Sequence, residues 1–268
     1  MTSSPTRSSI LREASFVYVL VTLSTVAITQ LPNVPGAAAL EDYVHLLVGA
    51  LFLVVAVRLA QRGARAADPR DETAARRAGM RRYGIDLAGV LAPPEDEAPQ
   101  SWLGLADLVR SLRRALPAGL RESAVAIGIA ALVFPAFVGG FYLWHSPRHA
   151  FSWQPPSDFI SFAVAQVLIV GLPEEALFRG YFQTRLTDAW PARRRLLGAS
   201  ISLPALLLQA ALFALLHFAV DLQPTRLAVF FPALLFGCVR AWRGGIGAAI
   251  LLHAMSNVLA EILVRGWL

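Results

Sequence analysis

Lysine is absent from this chain: all 24 basic residues are arginine, and the formal net charge is +6. The basic excess does not point to nucleic acid, because the arginines flank apolar runs instead of forming a patch interleaved with aromatic side chains. Cysteine is nearly absent too. Cys238 stands alone inside an apolar run, so an internal disulfide is impossible and no CxxC metal pair exists; it reads as a small buried residue. Charge of either sign is sparse, at 16% of residues against 56% hydrophobic, where a soluble domain is about 45–50% apolar. No HExxH helix, no GxSG serine motif and no pair of intramembrane aspartates occurs, which disfavours three familiar routes to hydrolysis inside a membrane.

What the chain has is apolar length. Seven runs approach or reach the span of a bilayer: 15–31, 43–60, 123–144, 158–173, one within 199–220, 227–242 and 246–264. An all-α polytopic membrane protein is expected, a transmembrane helical bundle. The first run follows Arg7 and Arg12, and "PGAAAL" after it offers small residues for signal-peptide cleavage. Its apolar stretch is longer than a usual signal core, which favours an uncleaved anchor.

Residues 61–122 hold eleven arginines, from Arg62 to Arg121 and including Arg65 and Arg70. Positive loops stay in the cytoplasm, and "PARRR" at 191–195 and "RAWRGG" at 240–245 then fall on the same side. The N-terminus is expected to be cytoplasmic and the C-terminus outside. Within the loop, Leu105, Leu108, Val109 and Leu112 recur at helical spacing among Arg110, Arg113 and Arg114. This is an amphipathic helix, lying on the inner leaflet or packed on the bundle. "GVLAPPEDEAPQ", 89–100, reads as a Pro-rich acidic linker. Two regions follow: 1–122, with two spans and the Arg-rich loop, and 123–268, a helical core.

The core carries polar groups that an apolar span should avoid. "GLPEEALFRG" places Glu174 and Glu175 side by side after a long apolar run. A charge in hydrocarbon costs a few kcal/mol, and two like charges raise each other's pKa. Arg179 stands four residues after Glu175 on one helix face, so those two can pair, which leaves Glu174 rotated by about 100° onto another face. "ALFALLHFAV" sets His217 on an apolar face, and "LLHAMSN" sets His253 and Asn257 four apart. Each alone fits helix packing. Three spans with such groups point to a functional site.

A depth count shows that they can meet. Glu174 lies about 25 Å from a turn near Pro191, and His217 about 20 Å from a helix start at Pro204. His253 and Asn257 lie about 12 Å and about 20 Å from Gly244. The agreement requires residues 192–203 to be largely a connector. The residue types suit hydrolysis: a desolvated carboxylate as base toward water, a histidine to orient the water or carry the proton, and a second histidine with an amide N–H for an oxyanion.

"EEALFR", "FALLH" and "HAMSN" resemble the EExxxR, FxxxH and HxxxN motifs of the CPBP or Abi family of intramembrane proteases. The resemblance covers about 158–260. It implies a helical bundle enclosing a polar, conical cavity, with Glu174 activating water and His217 as its partner. His253 and Asn257 would form the oxyanion site, Glu175 and Arg179 would support it, and Phe213 would pack nearby. No cofactor is expected. Two histidines and a carboxylate could hold Zn²⁺, but Asn257 would be a weak ligand. The implied partners are the bilayer and a membrane-associated peptide or protein: a prenylated CAAX peptide, a bacteriocin leader or a C-terminal anchor signal. The all-arginine composition looks bacterial, which favours the last two and places the chain in an inner membrane. The oligomeric state stays open. Two other readings compete. One is an inactive immunity or partner-binding protein of the same fold. The other is a proton-relay transporter, which predicts polar groups at more than one depth.

Overall fold

A computed structural model describes residues 6–62, 72–91, 104–192, 194–196 and 198–268. Arg65, Arg70 and most of the acidic linker lie outside them. Among the described residues, eight helices make up the architecture: α1 (Arg7–Gln30), α2 (Val44–Arg62), α3 (Glu72–Arg82), α4 (Leu105–His145), α5 (Phe159–Ala189), α6 (Leu203–Asp221), α7 (Phe230–Arg243) and α8 (Gly247–Trp267). All but α3 are long and apolar enough to cross a membrane, α7 together with the 3-10 turn Pro224–Val229 before it. The chain is an integral membrane protein of the all-α class.

The connector required by the depth count is present. Arg194–Leu196 (β1) and Ala199–Ile201 (β2) form a short antiparallel hairpin with Arg194 opposite Ile201. Ser202 then caps α6, its hydroxyl accepting from the Ala205 N–H at 3.4 Å, and Pro204 occupies the first turn where no N–H is needed. The helix starts within one residue of the expected position.

The amphipathic stretch and the third span prove to be one helix. At 41 residues, α4 runs about 60 Å, twice a hydrocarbon thickness of about 30 Å. Residue 122 therefore falls inside an element. Leu105, Leu108, Val109 and Leu112 are exposed on the first half. Glu122 anchors the midpoint, accepting from Arg243 Nη2 at 2.6 Å and from its Nε at 3.2 Å.

The first two helices are part of the core, not an appendage. Val17 and Val21 of α1 and Phe52 and Ala56 of α2 pack in one cluster with Phe178 of α5 and Phe213 of α6. Residues 83–91 join the same cluster from outside the membrane spans. Ile85 is fully buried against Gly180, and Tyr83 stacks on Tyr181 at 6.0 Å. Burying Ile85 contributes about 2 kcal/mol. The Ile246 N–H donates to the Gly84 carbonyl at 3.0 Å, which pins this segment to the turn between α7 and α8. At the same end, Glu13 of α1 accepts from Tyr181 and Arg185. Arg82 grips Asp188 through both carboxylate oxygens at 2.8 Å. The opposite end is aromatic: Phe151 and Tyr142 pack on Trp267.

Candidate active site

The site begins with a proline. Pro173 has no N–H for the carbonyl four residues back, and its ring crowds that carbonyl, which belongs to Ile169. The helix responds by widening: Gln166–Gly171 is a π-helical stretch. The displaced Ile169 carbonyl presses toward α2, where a side chain at Gly49 would put its Cβ 2.5 Å from that oxygen. Only glycine fits there. A second π-helical stretch, Ala176–Phe182, follows the glutamates. Such widened turns recur at functional sites. Glu174 and Glu175 thus sit on a short α turn between two irregular ones.

Glu175 and Arg179 are both fully buried and pair at 2.9 Å through Arg179 Nη1. The guanidinium lies 4.4 Å from the Phe213 ring centroid and 5.3 Å from that of Phe236, and its Nη2 donates to the Ala233 carbonyl at 3.4 Å. A buried ion pair needs such extra contacts to offset its desolvation. Below it, Gln209 is fully buried and donates to the Ala233 and Leu206 carbonyls, while Gln183 donates to the Gly237 carbonyl at 2.9 Å.

His253 arrives from α8 and stands between the two carboxylates. Its Nδ1 lies 2.8 Å from Glu175 Oε1 and its Nε2 lies 3.7 Å from Glu174 Oε2. Glu175 can only accept, so Nδ1 carries the proton. Phe236 stacks on the ring at 5.0 Å. Glu174 Oε2 is buried and has no hydrogen-bond partner among the described residues. The spacing argument therefore separates the two glutamates as expected: one is neutralised by Arg179, the other is left facing a histidine.

His253 and Asn257 differ in their partners. Asn257, one turn further along α8, donates to Gln166 Oε1 at 2.8 Å. His217 uses its Nδ1 on its own helix, 2.9 Å from the Phe213 carbonyl, and its ring packs 4.4 Å from that of Phe213. Phe213 in turn touches Phe178, Arg179 and His253. His217 thus reaches the group through Phe213, and no hydrogen bond joins it to either glutamate among the described residues. Sequence reasoning passed over Gln166, Gln209 and Phe236. Gln166 and Gln209 do leave a signal, a lone amide within an apolar run; Phe236 leaves none, being one apolar residue among many.

Residues 156–259 match a family model described as "Type II CAAX prenyl endopeptidase Rce1-like". Residues 156–259 are similar to that family, in agreement with the resemblance carried by the three motifs. The Rce1-like region runs from just before α5 to two residues past Asn257, so it contains every group of the candidate site, and α1–α4 lie outside it. The match supports a CAAX-type intramembrane protease in general. Comparison with curated proteins and with solved structures gave no match.

Proposed function

We propose that this chain is an intramembrane endopeptidase of the glutamic type. Glu174 takes a proton from a water molecule, the water oxygen attacks the scissile carbonyl carbon, and the proton passes to the leaving amine nitrogen. Asn257, together with His253, donates to the oxygen that gains charge. His217 orients the water through its Nε2, since Nδ1 is occupied by the Phe213 carbonyl. The observation that carries this reading is the unequal treatment of the adjacent carboxylates. Glu175 is paired with Arg179 at 2.9 Å and with His253 through its Oε1, while Glu174 has no cation paired with it among the described residues and faces His253 Nε2 at 3.7 Å; each carboxylate keeps its Oε2 buried without a hydrogen-bond partner among the described residues. A desolvated carboxylate beside a histidine is the arrangement a base toward water requires.

The donor set supports a mechanism without a metal. A divalent cation at Glu174 and His253 would stand next to the buried Arg179 guanidinium, with one carboxylate oxygen already shared between Arg179 and His253. Among the described residues, no group of three or more His, Cys, Asp or Glu is disposed to hold a metal ion. The substrate class is a membrane-associated peptide or protein.

The test compares protein termini in membranes of host cells carrying the wild-type chain or Glu174→Gln. New termini seen only with wild type are expected, and their sequences name the substrate. Identical termini, with the variant folded and expressed, would shift the assignment to a partner-binding protein of the same fold.

A further inference from the structure

The oxyanion site has a member that the three motifs omit: the geometry points to Gln166 as the positioning residue of Asn257. The inference rests on the endopeptidase reading and deepens it. His253 directs both ring nitrogens at carboxylates, Nδ1 at Glu175 Oε1 at 2.8 Å and Nε2 at Glu174 Oε2 at 3.7 Å. Asn257 is the amide donor of the pair, and its direction has to be set by another side chain.

An asparagine on an apolar helix has a soft terminal torsion, so its amide can swing unless something holds it. Gln166 supplies the hold. Its Oε1 accepts one Asn257 N–H at 2.8 Å, and the second Asn257 N–H stays free to donate. The contact joins α5 to α8, the same two helices that bring Glu174 to His253. Both amides are only partly buried, so a substrate can approach them. Gln166 opens the π-helical stretch that Pro173 imposes, so the widened turn sets its direction. The helix distortion, the amide pair and the base are thus one construction.

The probe is an internally quenched peptide copied across a cleavage point that depends on Glu174. Turnover is measured for wild type, Gln166→Leu, Asn257→Ala and the double variant. Gln166→Met, which keeps the side-chain length, runs in parallel in case leucine disturbs folding. Loss of Gln166 is expected to lower kcat roughly tenfold to a hundredfold, the scale of a misplaced donor, with KM within about twofold. In the Asn257→Ala background it is expected to cost nothing further, because a residue that acts through another has nothing left to act on. Wild-type kcat in both Gln166 variants would overturn the inference. So would a loss that multiplies with Asn257→Ala, which marks a separate structural role. A Glu174→Gln variant that cleaves the peptide as wild type does would instead remove Glu174 from the mechanism and overturn the glutamic-type reading on which this inference rests.

Discussion

Arg179 has no water to fall back on. It is fully buried, and its charge is met by one carboxylate on its own helix, the Phe213 ring of α6, and the Phe236 ring and Ala233 carbonyl of α7. Replacing it with methionine would leave the Glu175 carboxylate buried with only His253. A loss of about 3–5 kcal/mol is expected, read as a lower melting temperature in detergent. Removing both charges in Glu175→Gln with Arg179→Met should recover part of that loss, because the uncompensated ion disappears. Equal melting of wild type and Arg179→Met would show that the pair carries no such weight. The Glu175–Arg179 pair was legible in the sequence because four-residue spacing on one helix fixes a shared face. The bond from His253 to Glu175 was not. Spacing along α8 says which residues share a face, but not which of two adjacent carboxylates on α5 that face will meet.

Gly49 shows what an element requires of one position. Its Cβ would sit 2.5 Å from the Ile169 carbonyl oxygen, a backbone atom that cannot step aside without moving a helix. Gly49→Ala should therefore push α2 from α5, cost about 1–3 kcal/mol of stability and lower turnover, since Ile169 lies in the widened turn that aims Gln166. Unchanged melting and turnover would mean that the helices separate freely. The segment 83–91 offers a test by pH. Burial raises the Asp86 carboxyl above its ordinary value near 3.8, against the opposing pull of Arg81 and the Gly89 N–H. A raised carboxyl favours the docked segment in its neutral form. That contribution is full below the ordinary value and is lost as pH rises through the raised one. Asp86→Asn should thus raise the melting temperature at pH 7 and leave it nearly unchanged near pH 3. At this scale the sequence was legible where a cap or a proline marked a boundary, as at Ser202 and Pro204. It was not legible in α4, where Pro117 sits inside a helix that does not stop. Nor were the π-helical stretches foreseen, because a widened turn leaves composition and hydropathy as they were.

For the whole molecule, we expect the seven candidate spans among the described residues to place the termini on opposite sides. The arginines gather at the end that holds Arg7, Arg82, Arg185 and Arg243, and aromatic rings gather at the end that holds Trp267. We expect the arginine end to face the cytoplasm. Cys238 is the chain's single cysteine, so a Cys238→Ser background allows one thiol to be placed at a time. In spheroplasts, a membrane-impermeant maleimide should label Ser152→Cys and spare Ser8→Cys; the reverse pattern would invert the topology. Residues 1–122 resemble no family pattern, yet α1, α2 and the segment 83–91 supply core side chains to the cluster of Phe178 and Phe213. Packing of this kind asks only for size and shape, which many residues satisfy, so it leaves little for a reader of sequence to find.

The widened turn at Gln166–Gly171 makes the chain vulnerable to the smallest possible genetic accident there. Losing a single codon from 167–171 would leave Pro173 in place and swing Gln166 about 100° relative to Glu174. "EEALFR", "FALLH" and "HAMSN" would all survive the deletion, so such a descendant would still be assigned to the same family, while the amide partnership with Asn257 would be gone.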